Sequence, residues 1–369
     1  MWLEQLIGRV HCWPLHECSK AKAKFVGSVR NMAKGREPTV EDERDSVFMG
    51  RPHLVVLGAG ASRAAFPDGD RNGRKLPLMA DFVETLDLRS VLINWGVNPE
   101  QNFEEIFSEI FEHGDAARIE FLQGKIREYF SGLRIGDRPT LYDHLVLSLQ
   151  KKDVIASFNW DPLLLQAYRR NTRFALPRLL LLHGNVEAGY CEKDRTAGNV
   201  GTRCSKCKEP FSASPLLYPI RKKDYADNSF IASQWATFKQ VLRHTFMVTI
   251  FGYSGPKTDQ EALSAMGSAW GPVENRELEQ SCFITIQNEN EVADNFRAFI
   301  HSHHCEIDKD FYDSWIARHP RRTGEAWWNQ YLEAMFLPNN HLPKDASFPE
   351  LWAFFEPFRE PELRFNIEA

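Results

Sequence analysis

The chain has 369 residues, 43% of them hydrophobic and 26% charged, so it is long enough for a large α/β domain with an inserted module. Its formal net charge of −5 gives no electrostatic case for direct binding of nucleic acid or of an anionic membrane. Apolar runs fall well short of about 18 residues, and the first residues lack the basic start of a signal peptide, so neither a membrane span nor secretion is predicted. The 7 cysteines show no even spacing, which favours a reducing compartment and predicts a cytoplasmic protein.

Residues 1–50 carry mixed charge with little periodicity and are predicted to be an N-terminal extension. The main domain, residues 51–305, then opens with a buried strand over residues 53–57 that runs directly into Gly58-Ala59-Gly60-Ala61-Ser62. Such a turn lets backbone N–H groups approach a pyrophosphate closely, and the start of the following helix adds a favourable dipole. Gly-x-Gly alone is equally compatible with a strand-to-helix turn that binds nothing.

The residues after the turn argue against a simple hydride-transfer domain. A dehydrogenase fingerprint places a third glycine where this chain has Arg63, and an acidic residue about 20 residues further on, after a second strand. Here residues 66–74 form a polar loop with no strand pattern behind it. Residues 79–150 instead follow the helical period, with Asn102 as a helix cap, and predict a helical insertion whose aromatic stripe is core.

Further short apolar strands follow, and each ends in polar or glycine residues. They are predicted over residues 154–158, 179–182, 246–251 and 282–286. Because ligands bind beyond the carboxyl ends of strands in an open parallel sheet, one crevice is expected to be shared by the strand ends at 58–62, 159–161, 183–184, 252–254 and 287–289. The predicted fold class is α/β, a Rossmann-like doubly wound parallel sheet with a helical insertion and a small cysteine-containing module.

Two of these strand ends carry side chains suited to acid–base chemistry. Asn159 and Asp161 flank Trp160 on one turn, and His183 precedes Gly184. With an ordinary pKa of about 6.5, a histidine can take a proton near neutral pH, so His183 is a candidate general base. Singly, an Asn-x-Asp sequence is usually a turn or a helix cap, and a lone histidine is usually structural. Their joint placement beside a glycine turn makes them candidate catalytic residues.

The last part of the chain, residues 306–369, is rich in aromatic side chains and is predicted to be a helical segment. It could serve as a cap on the domain or as an oligomer contact, and both alternatives stay open. The histidine-rich run at residues 301–305 is interpreted as a helix end with solvated side chains.

Taken in order, these motifs resemble the sirtuins, a family of NAD-consuming enzymes. The resemblance extends from about residue 53 to 290 and includes Gly252-Tyr253-Ser254, where sirtuins have Gly-Thr-Ser or similar. It implies that the glycine turn at residues 58–62 cradles the NAD pyrophosphate.

The resemblance also implies roles for individual residues. Asn159 would position the reacting ribose or a water, Asp161 would hold the nicotinamide carboxamide, and His183 would be the catalytic base. Further cofactor contacts are implied for Gly252, for Ser254 near the phosphates, and for Gln287 or Asn288 near the adenine ribose.

A cysteine module over residues 188–212 matches the place of the sirtuin zinc ribbon. Cys191, Cys204 and Cys207 match three of the four thiolate positions, and Asp194 stands at the remaining one. Zinc accepts a carboxylate oxygen, although four cysteines are the norm in structural sites. A structural zinc ion and a metal-free hairpin are the two alternatives, and neither would take part in catalysis.

The chain departs from the sirtuin pattern in the segments that would contact a peptide substrate. Residues 215–225 lack the Phe-Gly-Glu segment that helps to clamp an acyl-lysine peptide, and only Phe66-Pro67-Asp68 remains of the sirtuin segment after the glycine turn. In this respect the chain is similar to bacterial sirtuin-like proteins of anti-phage defence that hydrolyse NAD.

An NAD glycohydrolase that forms nicotinamide and ADP-ribose is therefore predicted. The alternatives are an NAD-dependent protein deacylase and a non-catalytic module that senses NAD or ADP-ribose. An enzyme that destroys NAD must be held inactive until it is triggered, so a homo-oligomer or a partner protein of a defence system is expected.

Overall fold

The structure is a computed structural model that describes residues 36–220, 225, 228–256, 259–272, 276, 280–287, 289–300 and 305–368. The first 35 residues of the predicted extension, Asn288 and the histidines of residues 301–304 lie outside the described residues. Within the described part of the chain, every helix is too short or too polar to cross a membrane.

Among the described residues, nine strands build two sheets. They are β1 His53–Leu57, β2 Val154–Ser157, β3 Arg178–Leu181, β4 Ala188–Cys191, β5 Thr196–Asn199, β6 Ser212–Ala213, β7 Met247–Phe251, β8 Gln280–Ile284 and β9 Cys305–Asp308. The larger sheet is parallel and has the order β3-β2-β1-β7-β8-β9. Its six strands, counted in chain order, therefore lie as 3-2-1-4-5-6, with the reversal of strand order between β1 and β7. That reversal is where doubly wound sheets hold their ligands.

β1, β2, β3, β7 and β8 form where the apolar runs predict them, whereas no apolar run predicts the three strands of the small sheet. All residues of β1, β2, β7 and β8 are buried, because helices cover both faces of a parallel sheet. β8 begins two residues earlier than predicted, and β9 was not predicted at all. β9 is an edge strand whose four residues are only half-buried, and its sequence Cys-Glu-Ile-Asp contains no apolar run. The expected boundary between residues 305 and 306 falls inside this strand.

Among the described residues, helices precede β1, fill connections between the strands and follow β9. They are α1 Val40–Asp45, α2 Ala59–Ala65, α3 Phe82–Thr85, α4 Arg89–Asn94, α5 Phe103–Glu112, α6 Ala116–Ser131, α7 Leu141–Leu147, α8 Leu163–Arg170, α9 Ser229–His244, α10 Gln260–Trp270, α11 Glu289–Phe296, α12 Trp315–Arg318, α13 Thr323–Leu332, α14 Phe348–Phe355 and α15 Arg359–Glu368. Five of them, α3 to α7, form the predicted helical insertion between β1 and β2. As predicted, Asn102 caps α5, its side chain accepting from the Glu104 N–H at 2.9 Å.

Aromatic side chains of the insertion pack against the turn after β2. Phe82 stacks on Phe103 with ring centroids 4.4 Å apart, and both rings are buried. The Trp160 ring lies edge-on to Phe82 at 6.3 Å and to Phe130 at 5.8 Å. The aromatic stripe is core, as expected, and it seats the turn that carries Asn159 and Asp161 against the insertion.

The C-terminal helices are fastened to the domain by a buried ionic cluster. Arg321 and Arg322 both donate to the Glu362 carboxylate, at 2.7 and 2.8 Å respectively. Arg321 also donates to the carbonyls of Leu147 and Leu149, each at 2.9 Å, at the end of the insertion. Since both guanidinium groups and the carboxylate are buried, the pairing is what makes burial of these charges tolerable.

His53, at the start of β1, is buried at the opposite end of the strand from the glycine turn. Its ring nitrogens Nδ1 and Nε2 lie 2.9 and 2.8 Å from the hydroxyls of Thr323 and Thr249. Burial lowers the pKa of His53 to about 4. The histidine is therefore neutral in the folded protein at all but acidic pH.

This burial predicts a stability that depends on pH. In the unfolded chain His53 has the ordinary pKa of about 6.5, so that state binds a proton first as the pH falls. At pH 7 the folded state keeps nearly all of its stability with respect to this group. Between about pH 7 and pH 5, protonation of His53 in the unfolded chain is expected to lower the free energy of unfolding by about 2 kcal/mol. Urea unfolding of the wild type and of His53→Gln at both pH values measures the difference. His113→Gln, at an exposed histidine, is the control, and an equal fall in wild type and His53→Gln would contradict the prediction.

Candidate functional site

The glycine turn packs backbone against backbone on the end of β7. The Gly60 N–H donates to the Gly252 carbonyl at 2.9 Å, and the Gly58 N–H donates to the Phe251 carbonyl at 3.0 Å. Gly252 has a left-handed backbone with φ +62°, and a Cβ there would lie 2.1 Å from the Ala61 nitrogen. A Cβ on Gly58 would likewise lie 2.6 Å from the Gly252 oxygen. These glycines are therefore required by the approach of the two loops to each other, whatever ligand the turn accepts.

A second set of contacts joins the glycine turn to the turn after β2. The Asn159 amide nitrogen Nδ2 donates to the Gly58 carbonyl and to the Ser62 hydroxyl, at 2.9 Å in each case. The Ser62 hydroxyl donates to Asp161 Oδ2 at 2.6 Å. The three polar side chains of this network thus lie together at the carboxyl ends of β1 and β2, as the sequence predicts.

Asp161 binds protein groups through both carboxylate oxygens. Besides the bond from Ser62, Oδ1 accepts from the Leu163 N–H at 3.1 Å, at the first residue of α8. Burial raises the pKa of Asp161, and the hydrogen bond from Ser62 opposes that rise. In this structure Asp161 orients Ser62 and caps a helix, and its contact with a nicotinamide carboxamide stays a prediction.

Tyr142 belongs to the same network and was not identified from the sequence. It lies on α7 of the insertion and is fully buried. Its hydroxyl is 2.6 Å from Ser62 Oγ and 3.4 Å from Asn159 Nδ2. A buried tyrosine needs a hydrogen-bond partner, but the sequence contains no indication of which partner the fold supplies.

His183, at the end of β3, joins the site through aromatic contacts. The ring of Phe158 lies edge-on to the His183 ring at 4.7 Å and stacks on Tyr253 at 4.5 Å. Phe158 directly follows β2, Tyr253 follows β7, and so the ends of three strands meet around this one ring. His183 is itself buried.

Tyr253 and Tyr225 share a carboxylate that sequence analysis did not identify. The Tyr253 hydroxyl donates to Asp259 Oδ2 at 2.7 Å, and the Tyr225 hydroxyl donates to Oδ1 at 3.1 Å. The Tyr225 ring lies nearly parallel to the His183 ring at 6.2 Å. Burial raises the pKa of Tyr253 far above its ordinary range, so its hydroxyl remains a proton donor.

The remaining predicted cofactor residues have other contacts. Ser254 is exposed, and its carbonyl accepts from the Asn295 amide at 2.8 Å. Gln287 is half-buried, its N–H donates to Thr285 Oγ1 at 3.1 Å, and its carbonyl accepts from Lys309. Among the residues described, these hydrogen bonds do not link Ser254 or Gln287 to the Ser62 network. Their placement beside a nucleotide stays a prediction.

The site is closed. The side chains of the central residues are at most 9% exposed: Ser62, Asn159, Asp161 and His183. A separate apolar cavity of about 130 Å³ lies between the insertion and residues 216–220, with Phe107, Leu217 and Tyr218 in its lining.

The four predicted metal ligands come together beside the small antiparallel sheet β5-β4-β6. One ligand atom from each of Cys191, Asp194, Cys204 and Cys207 lies within 4.8 Å of the others. The Sγ atoms of Cys191 and Cys207 are 3.5 Å apart, and Asp194 Oδ2 is 3.2 Å from Cys204 Sγ. Sulfur ligands of tetrahedral zinc are about 3.8 Å apart, so three thiolates and one carboxylate fit a structural zinc ion here.

We expect the purified protein to contain about one zinc ion per chain, because these side chains converge without a hydrophobic core large enough to replace the metal. Cys204→Ser is expected to bring the zinc content close to zero and to lower the melting temperature. Elemental analysis by mass spectrometry after dialysis measures this content. Cys305→Ser, at a half-buried cysteine outside the cluster, is the matched control. Equal zinc contents in the two variants would argue against a metal held at this cluster.

Strand order, strand-end contacts and cysteine cluster together define a doubly wound α/β protein of Rossmann type with a small cysteine-containing module. No family model matches the sequence, and no curated protein matches it.

Solved structures of Sir2 proteins are similar to this chain at low identity. One, described as a Sir2 protein with a deacetylated p53 peptide and 3′-O-acetyl ADP-ribose, has 10% identity and a TM-score of 0.35, over 80% of this chain and 97% of that chain. A second, from work on the mechanism and regulation of Sir2 enzymes, has 12% identity and a TM-score of 0.36, over 88% and 96%. A third, a complex of a Sir2 homologue with NAD, has 12% identity and a TM-score of 0.30, over 74% and 86%. The assignment of the fold rests on the strand order of this chain.

Proposed function

We propose that the protein is an NAD glycohydrolase, which cleaves NAD to nicotinamide and ADP-ribose. The observation that carries the proposal is the meeting of four strand ends that are far apart in sequence. Asn159 bonds the carbonyl of Gly58 in the glycine turn, Gly60 bonds Gly252, and Phe158 packs on His183. These are the motifs that resemble those of the sirtuins, in the same order. They surround the point between β1 and β7 where the strand order of the sheet reverses.

In the proposed reaction, the bond between the nicotinamide nitrogen and C1′ of the ribose breaks, and the pyridinium leaves as a neutral base. A water forms the new bond to C1′, and His183 accepts the proton that this water loses. Asn159 orients the water or the ribose through a hydrogen bond. Backbone N–H groups of the glycine turn approach the pyrophosphate.

Hydrolysis is favoured over deacylation by the segment that follows the cysteine module. The Leu217 N–H donates to the His183 carbonyl at 3.0 Å. Gly184 has φ +78°, and a Cβ there would lie 1.9 Å from the Pro215 oxygen. The backbone of residues 215–217, which stands in place of the sirtuin peptide clamp, thus contacts the chain itself. This supports water as the acceptor.

A protein deacylase is the second candidate function. It is favoured by the apolar cavity beside Leu217, since a pocket lined by Phe107 and Tyr218 suits an aliphatic acyl chain. The acyl-lysine would then take the place of water as the group that attacks C1′.

The closed site supports a regulated enzyme. NAD enters only when the loops around Ser62 and His183 separate, so a stimulus that opens them would switch on hydrolysis. We propose that assembly of the chain into a homo-oligomer, or a partner protein of an anti-phage defence system, supplies that stimulus.

The test is incubation of the purified full chain with NAD, with and without an acetyl-lysine peptide, followed by chromatography of nicotinamide. Release that needs no peptide supports the hydrolase, and release that requires the peptide supports the deacylase. Retained NAD binding without release, together with normal NAD levels in bacteria that express the protein, would favour a sensor and overturn the proposed hydrolysis. Cellular NAD is included because a resting enzyme could be inactive after purification.

A further inference from the structure

We propose that Tyr142 is a positioning residue for the proposed hydrolysis, and that its hydroxyl holds Asn159 with the carbonyl oxygen Oδ1 turned toward the ligand. The inference rests on the proposed function for its kinetic consequence, but the hydrogen bonds that support it are independent of any reaction. It adds to the site a side chain from the helical insertion.

The partners of Asn159 decide which end of its carboxamide faces inward. The Gly58 carbonyl is only an acceptor, so the atom 2.9 Å from it must be the NH₂ group of Asn159. The second hydrogen of that group is directed to Ser62 Oγ at 2.9 Å, with the Tyr142 hydroxyl at 3.4 Å. Because a carboxamide is planar, Oδ1 then lies on the other side of the group. Asn159 offers an acceptor to a ligand.

The direction of the remaining bonds follows from the single proton of Ser62. Ser62 donates its one proton to Asp161 Oδ2 in the 2.6 Å bond. Tyr142, whose oxygen is 2.6 Å from Ser62 Oγ, must then donate to Ser62. Its own oxygen is left to accept from Asn159. Each hydrogen bond of this network then has a defined donor and acceptor. The Tyr142 hydroxyl holds Ser62 by donating to it, and it also contacts Asn159.

The insertion holds Tyr142 rigidly. Helix α7 begins with a capping box, in which Asp143 accepts from the Thr140 N–H at 2.7 Å. The Tyr142 ring is fully buried and lies edge-on to Phe66 at 5.8 Å. Burial raises the pKa of Tyr142 far above its ordinary range, so the hydroxyl keeps its proton.

An acceptor at Asn159 has a definite chemical preference. It suits a group with an O–H, which both a ribose hydroxyl and an attacking water possess, and it does not suit a carbonyl oxygen. Loss of the Tyr142 hydroxyl would remove its 2.6 Å bond to Ser62, so that Ser62 Oγ and the Asn159 amide bonded to it would shift. This shift would misplace the acceptor. Since a displacement of about 1 Å at a reacting group can cost about 100-fold in rate, the effect should fall on kcat more than on KM.

The experiment compares Tyr142→Phe with Tyr129→Phe. Tyr129 lies on α6 of the same insertion and donates to the Lys75 carbonyl at 2.7 Å, so its variant also loses one hydroxyl but does not touch the site. Nicotinamide release by Tyr142→Phe is expected to show a kcat about 10- to 100-fold below wild type, with KM within about threefold. Tyr129→Phe is expected to match wild type.

A wild-type kcat in Tyr142→Phe would overturn the inference and leave the proposed hydrolysis intact. If the wild-type protein releases no nicotinamide, the proposed function fails, and nuclear magnetic resonance of protein labelled with ¹⁵N-asparagine still decides the inference. The Asn159 carboxamide signals should then shift in Tyr142→Phe but not in Tyr129→Phe, and unchanged signals overturn the inference. If Tyr142→Phe does not fold by circular dichroism, Ser62→Ala removes the same contact from its other side. A wild-type kcat or unchanged Asn159 signals in Ser62→Ala would be equally decisive against it.

Discussion

Replacement of His183 by alanine is expected to slow peptide-independent nicotinamide release by about 100-fold or more, because the attacking water then has no base to take its proton. Binding of NAD should change much less, since the glycine turn at residues 58–62 remains. Initial rates and KM for NAD, measured on the same preparation by chromatography, separate the two effects. In bacteria that express the protein, the same variant should preserve cellular NAD and relieve growth inhibition.

The matched control is His113→Ala, at an exposed histidine whose ring bonds only within its own helix, to the Glu109 carbonyl at 2.6 Å. It should have wild-type kinetics. Equal rates in His183→Ala, His113→Ala and wild type would remove His183 from the chemistry. Equal melting temperatures of the two variants are needed for the comparison, because His183 packs against Phe158.

A large loss of stability is expected for Gly252→Ala, above about 4 kcal/mol in the free energy of unfolding. An alanine with φ near +62° costs about 1–2 kcal/mol by itself. The larger part comes from the Cβ, which would lie 2.1 Å from the Ala61 nitrogen and would push β7 away from the glycine turn. Urea unfolding measures the loss, and a chain that fails to fold is the extreme form of the same result.

Gly201→Ala separates these two costs. Gly201 has φ +81°, but no atom of the described structure lies within 4 Å of a Cβ built there. The free energy of unfolding of Gly201→Ala should fall by only about 1–2 kcal/mol, which is the cost of the left-handed backbone conformation alone. Similar losses for the two variants would show that the contact between the loops contributes little.

Five strands of the parallel sheet were predictable because short apolar runs that end in glycine or polar residues are typical of buried parallel strands. β1 was predicted residue for residue, whereas β9 was missed because half-buried edge residues such as Glu306 and Asp308 give no apolar run. Within the predicted helical insertion, α3 ends at Thr85 and α4 begins at Arg89. Asp87, with φ +53°, lies between them, and the helical period of the sequence does not predict this break.

The site was predictable as far as it depends on the ends of strands. The glycine turn, Asn159 and Asp161 do meet, because topology alone brings the carboxyl ends of parallel strands to one edge. The four residues of the cysteine cluster also come together, beside the separate small sheet. The partner of Asp161 and the presence of Tyr142 could not be predicted. They depend on how α7 packs across the sheet. A contact between residues 62 and 142, which are 80 positions apart, cannot be predicted from the spacing of neighbouring residues.

The seating of Trp160 against Phe82 and Phe130 bears on how this chain can be shortened. A minimal protein trimmed to the sheet and its flanking helices would lack residues 79–150. The indole would then be left in water, and the two polar residues beside it would lose the wall that fixes their direction. The helical insertion is therefore needed to hold the turn after β2 in its conformation.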